Sequence, residues 1–171
     1  AQWVQQTLPV SGTPYSMVFL NQNTGFISLD IPALLKTTDS GNSWTVINNL
    51  RIYNLYKIDV TSIYGNGRLT GVDKIYRTTN SGLSWDSVGA GFGSIFDISF
   101  INRDTGWVSG HNGSVGAIWK TTNGGVTLVS QLASGTSGMD RIFFLPERIN
   151  GEYTGWCSQS SIFRKTTNSG A

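Results

Sequence analysis

The sequence is poor in the residues that build disulfides, metal sites and acid–base pairs. Its 171 residues include one cysteine, Cys157, one histidine, His111, and two glutamates, Glu147 and Glu152. One thiol cannot form an intrachain disulfide, and we expect Cys157 to be a small buried hydrophobe. One imidazole, in a loop that we expect to be exposed, cannot build a multi-histidine metal site. We therefore predict no metal ion and no other cofactor.

Charge and long apolar runs are scarce as well. Charged residues make up 13% of the chain, and the net charge is +2 with lysine and arginine scattered along it. Binding to a phosphate backbone needs a concentrated basic patch, so we predict no nucleic-acid partner. No apolar run approaches the roughly 18 residues that cross a bilayer, so no membrane span is predicted. Hydrophobic residues still supply 39% of the chain, enough for the core of one domain over residues 1–171.

What the chain has in abundance is repetition. A nine-residue box at residues 36–44 returns at 77–85 and 120–128, and in shortened form at 165–171. The first residues of successive boxes lie 41, 43 and 45 positions apart. This period is typical of four-stranded propeller blades rather than of paired-helix repeats.

The segments between the boxes have the pattern of short strands. In the third repeat, apolar and polar residues alternate over 95–100, as expected of a half-buried strand. A turn at 102–106 follows, then apolar segments at 107–109 and 117–119 that lead into the box. Gly, Asn and Pro interrupt the chain too often for a long helix. The prediction is an all-β fold of propeller type, with about four blades of four antiparallel strands.

The box repeats a threonine, an Asp or Asn, and a glycine at fixed positions. The Asp, Asn and Thr side chains can accept hydrogen bonds from nearby backbone N–H groups, and glycine tolerates a positive φ. The aromatic residue at the end of the box is expected to bury its ring against the neighbouring sheet. We interpret the boxes as structural turns rather than ligand sites, because only the first carries a charged Asp. The predicted turn residues are Thr37, Asp39, Gly41, Trp44, Thr78, Asn80, Gly82, Trp85, Thr121, Asn123, Gly125, Thr166, Asn168 and Gly170.

These boxes are similar to the Asp-box of bacterial-neuraminidase repeats, Ser/Thr-x-Asp-x-Gly-x-Ser/Thr-Trp. The phrase at residues 97–110, followed by Trp119 and the third box, more closely resembles the repeat of the photosystem II stability and assembly factor family. The resemblance covers nearly the whole chain and implies a β-propeller. It implies less about function, because such repeats carry different sites on one scaffold.

The two ends of the sequence together resemble one further box. The fourth box stops at Ala171 before its aromatic residue, whereas Gln2, Trp3 and Val4 match the second half of a box. We expect Trp3 and Val4 to begin a strand that completes the fourth blade. That strand would close a ring within its own chain or join a neighbouring chain head to tail. A slice of a longer tandem array would have the same pattern.

No catalytic set can be assembled from these repeats. None of the seven arginines lies in the Arg-Ile-Pro signature that a sialidase resemblance would require. Glu147 and Glu152 share one polar loop and are expected to be solvated. Asp59, Asp97 and Asp140 recur near the first strand of their repeats, which could ring one mouth of a propeller, although repeat registry explains this equally well. We predict a protein that is not an enzyme.

The preferred functional hypothesis is an extracellular or cell-surface propeller module with a structural, adhesive or self-assembling role. Self-association through the N-terminal strand is then the expected partner interaction. Asn112 begins the sequon at 112–114 and is a candidate glycosylation site. One alternative is a propeller that binds or hydrolyses glycans, with carbohydrate stacked on Tyr and Trp rings. The other is an assembly factor of the photosystem type that the repeats resemble.

Overall fold

The chain folds into a series of antiparallel sheets. A computed structural model describes residues 2–89, 93–135 and 138–171. Within these ranges fifteen strands form four sheets, which follow one another along the sequence and which we call blades 1 to 4. Strands pair in sequence order within each blade, so every connection inside a blade is antiparallel and local.

The strand bounds follow the repeats. Blade 1 consists of β1 (Pro14–Phe19), β2 (Gly25–Leu29), β3 (Leu34–Thr37) and β4 (Thr45–Asn48). Blade 2 consists of β5 (Arg51–Lys57), β6 (Ile63–Leu69), β7 (Val72–Thr78) and β8 (Asp86–Val88). Blade 3 consists of β9 (Ser94–Phe100), β10 (Gly106–Asn112), β11 (Val115–Thr121) and β12 (Val129–Ser134). Blade 4 consists of β13 (Arg141–Ile149), β14 (Glu152–Gln159) and β15 (Ile162–Thr166).

The predicted all-β, propeller-type fold of about four blades is confirmed, with a difference at the last blade. Blade 4 has three strands rather than four. Residues 2–13 form no strand, and Trp3 and Val4 are 101% and 71% exposed. Leu8 and Val10 instead pack against the buried apolar cluster of blade 1. Completion of blade 4 by the N-terminus of the same chain is therefore not what the structure shows, and completion by a neighbouring chain stays a prediction.

The core lies mainly between consecutive blades. Successive residues of a strand point to opposite faces of the sheet, so each blade can bury one face on the blade before it and one on the blade after it. Three residues at the same position of the second strand, Phe26, Tyr64 and Trp107, contribute to the clusters shared with the following blade. Each is at most 1% exposed. Burial of these aromatic rings holds the blades in series.

Two segments expected to be loops are parts of strands. β13 runs to Ile149 and β14 begins at Glu152, so Glu147 lies in a strand and only a tight turn separates the two. Apolar residues in this hairpin alternate too weakly to predict it from the sequence. His111 lies in β10 and is half-buried, with its ring centroid 5.4 Å from that of Phe96. Pairing of β10 with both β9 and β11 extends the strand past the glycine that suggested a loop.

Candidate functional site

A threonine organises each box turn, and it is buried in the first three boxes. In the first box, Thr37 Oγ1 donates to Asp39 Oδ1 at 2.7 Å and accepts from the N–H of Gly41 at 2.9 Å. Ser40 and Gly41 have φ values of 65° and 87°, so two consecutive residues occupy the left-handed region, where the second is a glycine. The same threonine contacts recur in the other boxes, at Thr78, Thr121 and Thr166.

The box with an Asp and the second and third boxes, which have an Asn, form the same turn, but the side-chain hydrogen bond to the following Ser or Thr runs in opposite directions. Asp39 accepts hydrogen bonds from the hydroxyl and N–H of Ser43, at 2.6 and 2.9 Å. Hydrogen bonds from Ser43, first from its side chain, lower the pKa of Asp39 from 3.8 to about 2. Asn80 accepts from the N–H of Ser84 at 3.0 Å and donates to its hydroxyl at 2.9 Å. All these bonds stay inside the turn, which supports the structural interpretation of Asp39.

The second, third and fourth boxes also receive a hydrogen bond from the blade before them. Lys36 Nζ of blade 1 donates to the Ser81 carbonyl of the second box at 2.7 Å. Arg77 Nη1 of blade 2 donates to the Gly124 carbonyl of the third box at 2.7 Å. In the fourth box the donor is the indole N–H of Trp107, which lies 3.1 Å from the Ser169 carbonyl. The cations that begin the first two boxes, Lys36 and Arg77, are thus links between blades, a role that their recurrence in the sequence could have suggested. Lys120 of the third box instead lies over the Trp107 ring of its own blade.

The aromatic residues of the boxes do not all pack alike. Trp85 is half-buried, and its ring packs edge-on against Phe26 of the preceding blade, 6.0 Å between centroids. This agrees with the expected packing on a neighbouring sheet. Trp44 is buried, but it lies edge-on to Phe19 in its own blade at 6.1 Å. The reason is that blade 1 has the N-terminal segment, rather than another sheet, on that side.

A buried carboxylate joins blades 2, 3 and 4. Asp97 in β9 is 6% exposed and accepts a hydrogen bond from the Tyr56 hydroxyl of blade 2. Its other oxygen accepts from the N–H of Ile142 in blade 4 at 3.2 Å. Burial, and then the hydrogen bond to Asp97, raise the pKa of Tyr56 well above its usual range. The Tyr56 hydroxyl therefore stays protonated as a donor across the physiological pH range.

The three aspartates that could have ringed one mouth lie at different depths. The first strand of each blade (β1, β5, β9 and β13) is called its inner strand. Asp140 precedes β13 at the end where the inner strands begin, and Asp97 is buried inside β9. Asp59 follows β5 at the opposite end, where it pairs with Arg103 at 2.6 Å. The hydrogen bond from Arg103 lowers the pKa of Asp59 well below its usual range. These residues do not form one acidic ring.

A polar cleft of about 520 Å³ opens where the inner strands of blades 2, 3 and 4 begin. We call it the inner cleft. Its residues come from β5, β6, β7 and β9 and from the start of blade 4. They are Tyr53, Asn54, Asn66, Arg68, Asp73, Ser94, Ile95, Phe96, Asp140 and Arg141.

Part of the inner cleft is held rigidly. Asp73 Oδ1 lies 2.8 Å from Arg68 Nε, and its other oxygen accepts from the N–H of Ile95 at 2.9 Å. The ion pair with Asp73 raises the pKa of Arg68. Asn66, 1% exposed, donates to the Ile95 carbonyl at 3.3 Å and accepts from Asn54 at 3.1 Å. These contacts hold one wall of the cleft in place. The charges of Arg68 and Asp73 are already paired with each other, so they are not free for a ligand.

The other polar groups of the inner cleft have spare hydrogen-bonding capacity. Arg141 is exposed and belongs to none of the ion pairs found in the described ranges of the chain. Asp140 accepts one backbone hydrogen bond, from Ser160 at 2.8 Å. Phe96 is 37% exposed and lines the cleft together with Tyr53. The cleft thus offers a cation, a carboxylate and aromatic surface within one opening.

Sequence reasoning missed the inner cleft. Asn54, Asp73, Phe96 and Arg141 belong to three different blades, and no local motif links them. Their juxtaposition follows from the stacking of blades, which the box spacing does not specify. The only signal was the recurrence of Asp97 and Asp140 near first strands.

The remaining predicted sites lie elsewhere. Asn112 is the exposed last residue of β10, and its glycosylation stays a prediction. Cys157 is buried, as expected, and burial raises the pKa of its thiol. Among residues 2–89, 93–135 and 138–171, no three His, Cys, Asp or Glu side chains gather in a way that could hold a metal ion. The same residues include no helix with the length and apolar character needed to cross a membrane.

Comparison with known proteins identifies the family. A family profile described as photosynthesis system II assembly factor YCF48 matches residues 1–170. A search of curated protein sequences finds no match. The prediction of an extracellular or cell-surface location is wrong, because the matched family is one of photosystem II assembly factors rather than of secreted surface proteins.

Solved structures show the same fold at low identity. A structure of YCF48 bound to a D1 peptide is 20% identical, with a TM-score of 0.64 over 93% of this chain and 52% of that one. YCF48 from Cyanidioschyzon merolae is 17% identical, with a TM-score of 0.67 over 97% of this chain and 59% of that one. The chain spans little more than half the length of these two structures.

A glycoside hydrolase shares the fold as well. The GH74 enzyme of Niastella koreensis is 17% identical, with a TM-score of 0.70 over 91% of this chain and 29% of that one. A likeness at this identity extends to the fold and not to the reaction. Since the family profile covers almost every residue, the chain belongs to the photosynthesis system II assembly factor YCF48 family.

Proposed function

We propose that this chain is part of a propeller-type assembly factor that binds a peptide segment of a partner protein in the inner cleft. The observation that carries the proposal is the combination in one opening of the free cation of Arg141, the carboxylate of Asp140 and the ring of Phe96. Family membership supports it, since a matched YCF48 structure contains a bound D1 peptide. The proposal for this chain is thus protein recognition rather than catalysis.

The chemistry of the cleft suits a peptide. A peptide offers N–H donors, carbonyl acceptors and side chains, so its recognition needs both signs of polarity and apolar surface. Asp140 can accept from peptide N–H groups, and Arg141 can donate to carbonyl or carboxylate oxygens. Tyr53 and Phe96 provide aromatic surface for an apolar side chain. The fixed pair of Arg68 and Asp73 keeps this wall in place before binding, which lowers the entropic cost of association.

The test is a binding titration with a fluorescently labelled D1 peptide. We expect Phe96→Ala and Arg141→Gln each to weaken binding about tenfold, as removal of a central interface contact does. Arg148→Gln is the matched control, because Arg148 is exposed but packs over the ring of Tyr153 at 4.7 Å, outside the cleft lining. Equal affinities for wild type, Phe96→Ala and Arg141→Gln would contradict the proposal.

Carbohydrate binding is a second candidate with one observation in its favour. Phe143 is 57% exposed and lies against Trp156 at 6.3 Å between ring centroids, which forms an aromatic surface on blade 4. The matched GH74 enzyme has the same fold, and the aromatic surface is the observation that favours this candidate. A glycan array should show a signal that Phe143→Ala removes. An array without any signal would eliminate this candidate.

Catalysis by a carboxylate pair finds little support in the inner cleft. Asp73 and Asp140 both line it, but Asp73 is held by Arg68 and by the N–H of Ile95. A general acid or base must have an oxygen free to reach its substrate, and both oxygens of Asp73 already have partners within the fold. The expectation that the protein is not an enzyme thus remains a prediction. The structural or adhesive role also remains a prediction, and none of the contacts described above supports it.

A further inference from the structure

An extra residue interrupts the inner strands of blades 1, 2 and 3, and each time it is aromatic. In β1 the pairing with β2 skips from Pro14 to Ser16, which leaves Tyr15 without an opposite residue. The same irregularity occurs at Tyr53 in β5 and at Phe96 in β9. These are β-bulges, which redirect the side chain of the extra residue and are frequent beside functional sites. We call Tyr15, Tyr53 and Phe96 the aromatic row.

The aromatic row lies along the inner cleft, near the start of each inner strand. Tyr53 and Phe96 both line the cleft. Tyr15 is 48% exposed, and its ring centroid lies 6.1 Å from that of Tyr53, with the ring planes tilted by 56°. The row therefore extends the aromatic surface of the cleft from blade 3 across blade 2 to blade 1.

The ring of Phe96 is held in place within the fold. His111 packs against it edge-on, with ring centroids 5.4 Å apart. Gly138 also approaches it closely, since a Cβ at that position would clash with the ring. The side chain is nevertheless exposed toward the cleft that it lines. A ring that is both fixed and exposed loses little conformational entropy when a ligand packs on it.

The backbone beside the row is closed to strand addition. The N–H of Leu55 donates to Ser16 Oγ at 3.0 Å, and the N–H of Ile95 donates to Asp73 at 2.9 Å. In both cases the acceptor belongs to the preceding blade. A peptide that joins a sheet needs free N–H and C=O groups on the edge strand. A ligand at the row must therefore bind mainly through side-chain contacts.

A polyproline II segment binds proteins in this way. It has no internal hydrogen bonds, so its carbonyl groups are free to accept, and its proline rings pack on aromatic side chains. Tyr15 and Tyr53 supply rings that carry hydroxyl donors, and Arg141 supplies a guanidinium in the same cleft. Because proline restricts the segment to this conformation before binding, ordering it costs little entropy.

Blade 4 has a charged residue where the row would continue. Arg141 and Asp97 each pair with the serine at one equivalent position of the second strand. The residue before Asp97 is Phe96. The residue before Arg141 is Asp140. The site thus has an aromatic part on blades 1 to 3 and a charged part on blade 4.

We propose that the aromatic row binds a proline-rich segment of the partner protein in the polyproline II conformation, with a polar residue of that segment at Asp140 and Arg141. This inference rests on the proposed function, because it specifies the kind of peptide that the inner cleft accepts. It adds Tyr15 to the site, a residue that does not line the cleft itself.

Fluorescence anisotropy with labelled hexaproline, a polyproline II peptide, tests the proposal. Wild type should bind it at least about tenfold more tightly than a labelled hexapeptide of alternating Gly and Ser, which is flexible. Tyr15→Ala should weaken hexaproline binding about fivefold, whereas Tyr15→Phe, which keeps the ring, should change it by less than about twofold. Phe163→Ala is the matched control and should bind like wild type, because Phe163 is 73% exposed but lies in β15, outside the cleft lining.

The D1 peptide distinguishes failure of this inference from failure of the proposed function. Hexaproline that does not bind wild type, or that binds Tyr15→Ala or the Gly-Ser peptide's site equally well, would overturn the inference, even where Arg141→Gln weakens binding of the D1 peptide. Conversely, Arg141→Gln might leave D1 binding unchanged while Tyr15→Ala weakens hexaproline binding. That result would contradict the proposed function and support the aromatic row as a site for proline-rich segments.

Discussion

Asp97 of blade 3 accepts a hydrogen bond from the backbone N–H of Ile142 in blade 4, at 3.2 Å. Because the same carboxylate binds the Tyr56 hydroxyl, one side chain holds three blades together. We expect Asp97→Ala to lower the free energy of unfolding by about 2–4 kcal/mol, since each buried donor left unpaired costs about 1–3 kcal/mol. Urea denaturation measures this change.

The control for this prediction is an exposed aspartate. The Asp86 side chain is 72% accessible and lies 3.9 Å from Arg77. Asp86→Ala should change stability by less than about 0.5 kcal/mol, as exposed ion pairs contribute little. Equal effects of the two substitutions would show that Asp97 does not link the blades.

The box threonines allow a comparison between adjacent residues. Thr78 is buried, and its hydroxyl accepts from the Gly82 N–H at 2.9 Å and donates to Asn80. Thr79 is exposed. Thr78→Val should cost about 1–3 kcal/mol because the partly buried N–H of Gly82 loses its acceptor, whereas Thr79→Val should be nearly neutral. Thermal unfolding followed by circular dichroism distinguishes the two outcomes, and a harmless Thr78→Val would contradict the account of the turn.

Substitutions at Gly71 and Gly82, which have similar φ values, distinguish the cost of backbone strain from the cost of a packing clash. Gly82 and Gly71 have φ values of 77° and 84°, so an alanine at either position adopts an unfavourable conformation. A Cβ at Gly82 would lie 2.4 Å from the Phe26 ring, whereas one at Gly71 would meet nothing within 4 Å. We expect Gly71→Ala to cost about 1–2 kcal/mol, and Gly82→Ala to cost about 1–3 kcal/mol more. Chemical denaturation measures the stability of both variants. Equal stabilities would contradict the close packing of Gly82 against the Phe26 ring.

Acid should weaken the first box specifically. The pKa of Asp39 is lowered from 3.8 to about 2, mainly by hydrogen bonds from Ser43. Since the folded-state pKa lies below the unfolded one, ionised Asp39 stabilises the fold above pH 4, and this contribution is lost as the pH falls from about 4 to 2. Asp39→Asn should remove that part of the pH dependence while keeping the turn, as Asn80 does. Stability curves of both proteins between pH 6 and pH 2 that run parallel would contradict this assignment.

The repeat spacing was sufficient to predict blades because each repeat is one local unit. The second repeat, for example, folds into the hairpin of β6 and β7, since its strands pair with neighbours in sequence. The contacts between blades were harder to predict from the sequence. The bond from Lys36 to Ser81 crosses 45 residues, and it depends on how one sheet is rotated against the next. The same rotation brings Phe96 and Arg141 into one cleft.

The ends of the sequence show a different limit. The match of Trp3 to a box aromatic predicted a strand, but a strand needs a partner edge as well as a suitable sequence. Leu8 and Val10 pack on blade 1, which leaves Trp3 exposed in the single chain. The extracellular location was predicted from the repeats, the absence of a catalytic set and the unfinished last box, none of which carries information on where a fold is used, and family membership corrected it.

Photo-crosslinking shows whether the D1 peptide binds in the inner cleft. Benzoylphenylalanine replaces Phe96 in the inner cleft in one protein, and replaces exposed Leu83 in the other. We expect a saturable crosslink to the peptide at position 96, competed by unlabelled peptide, and none above background at position 83. A saturable crosslink at position 83 with none at position 96 would mean that the peptide binds outside the inner cleft, contrary to the proposed function.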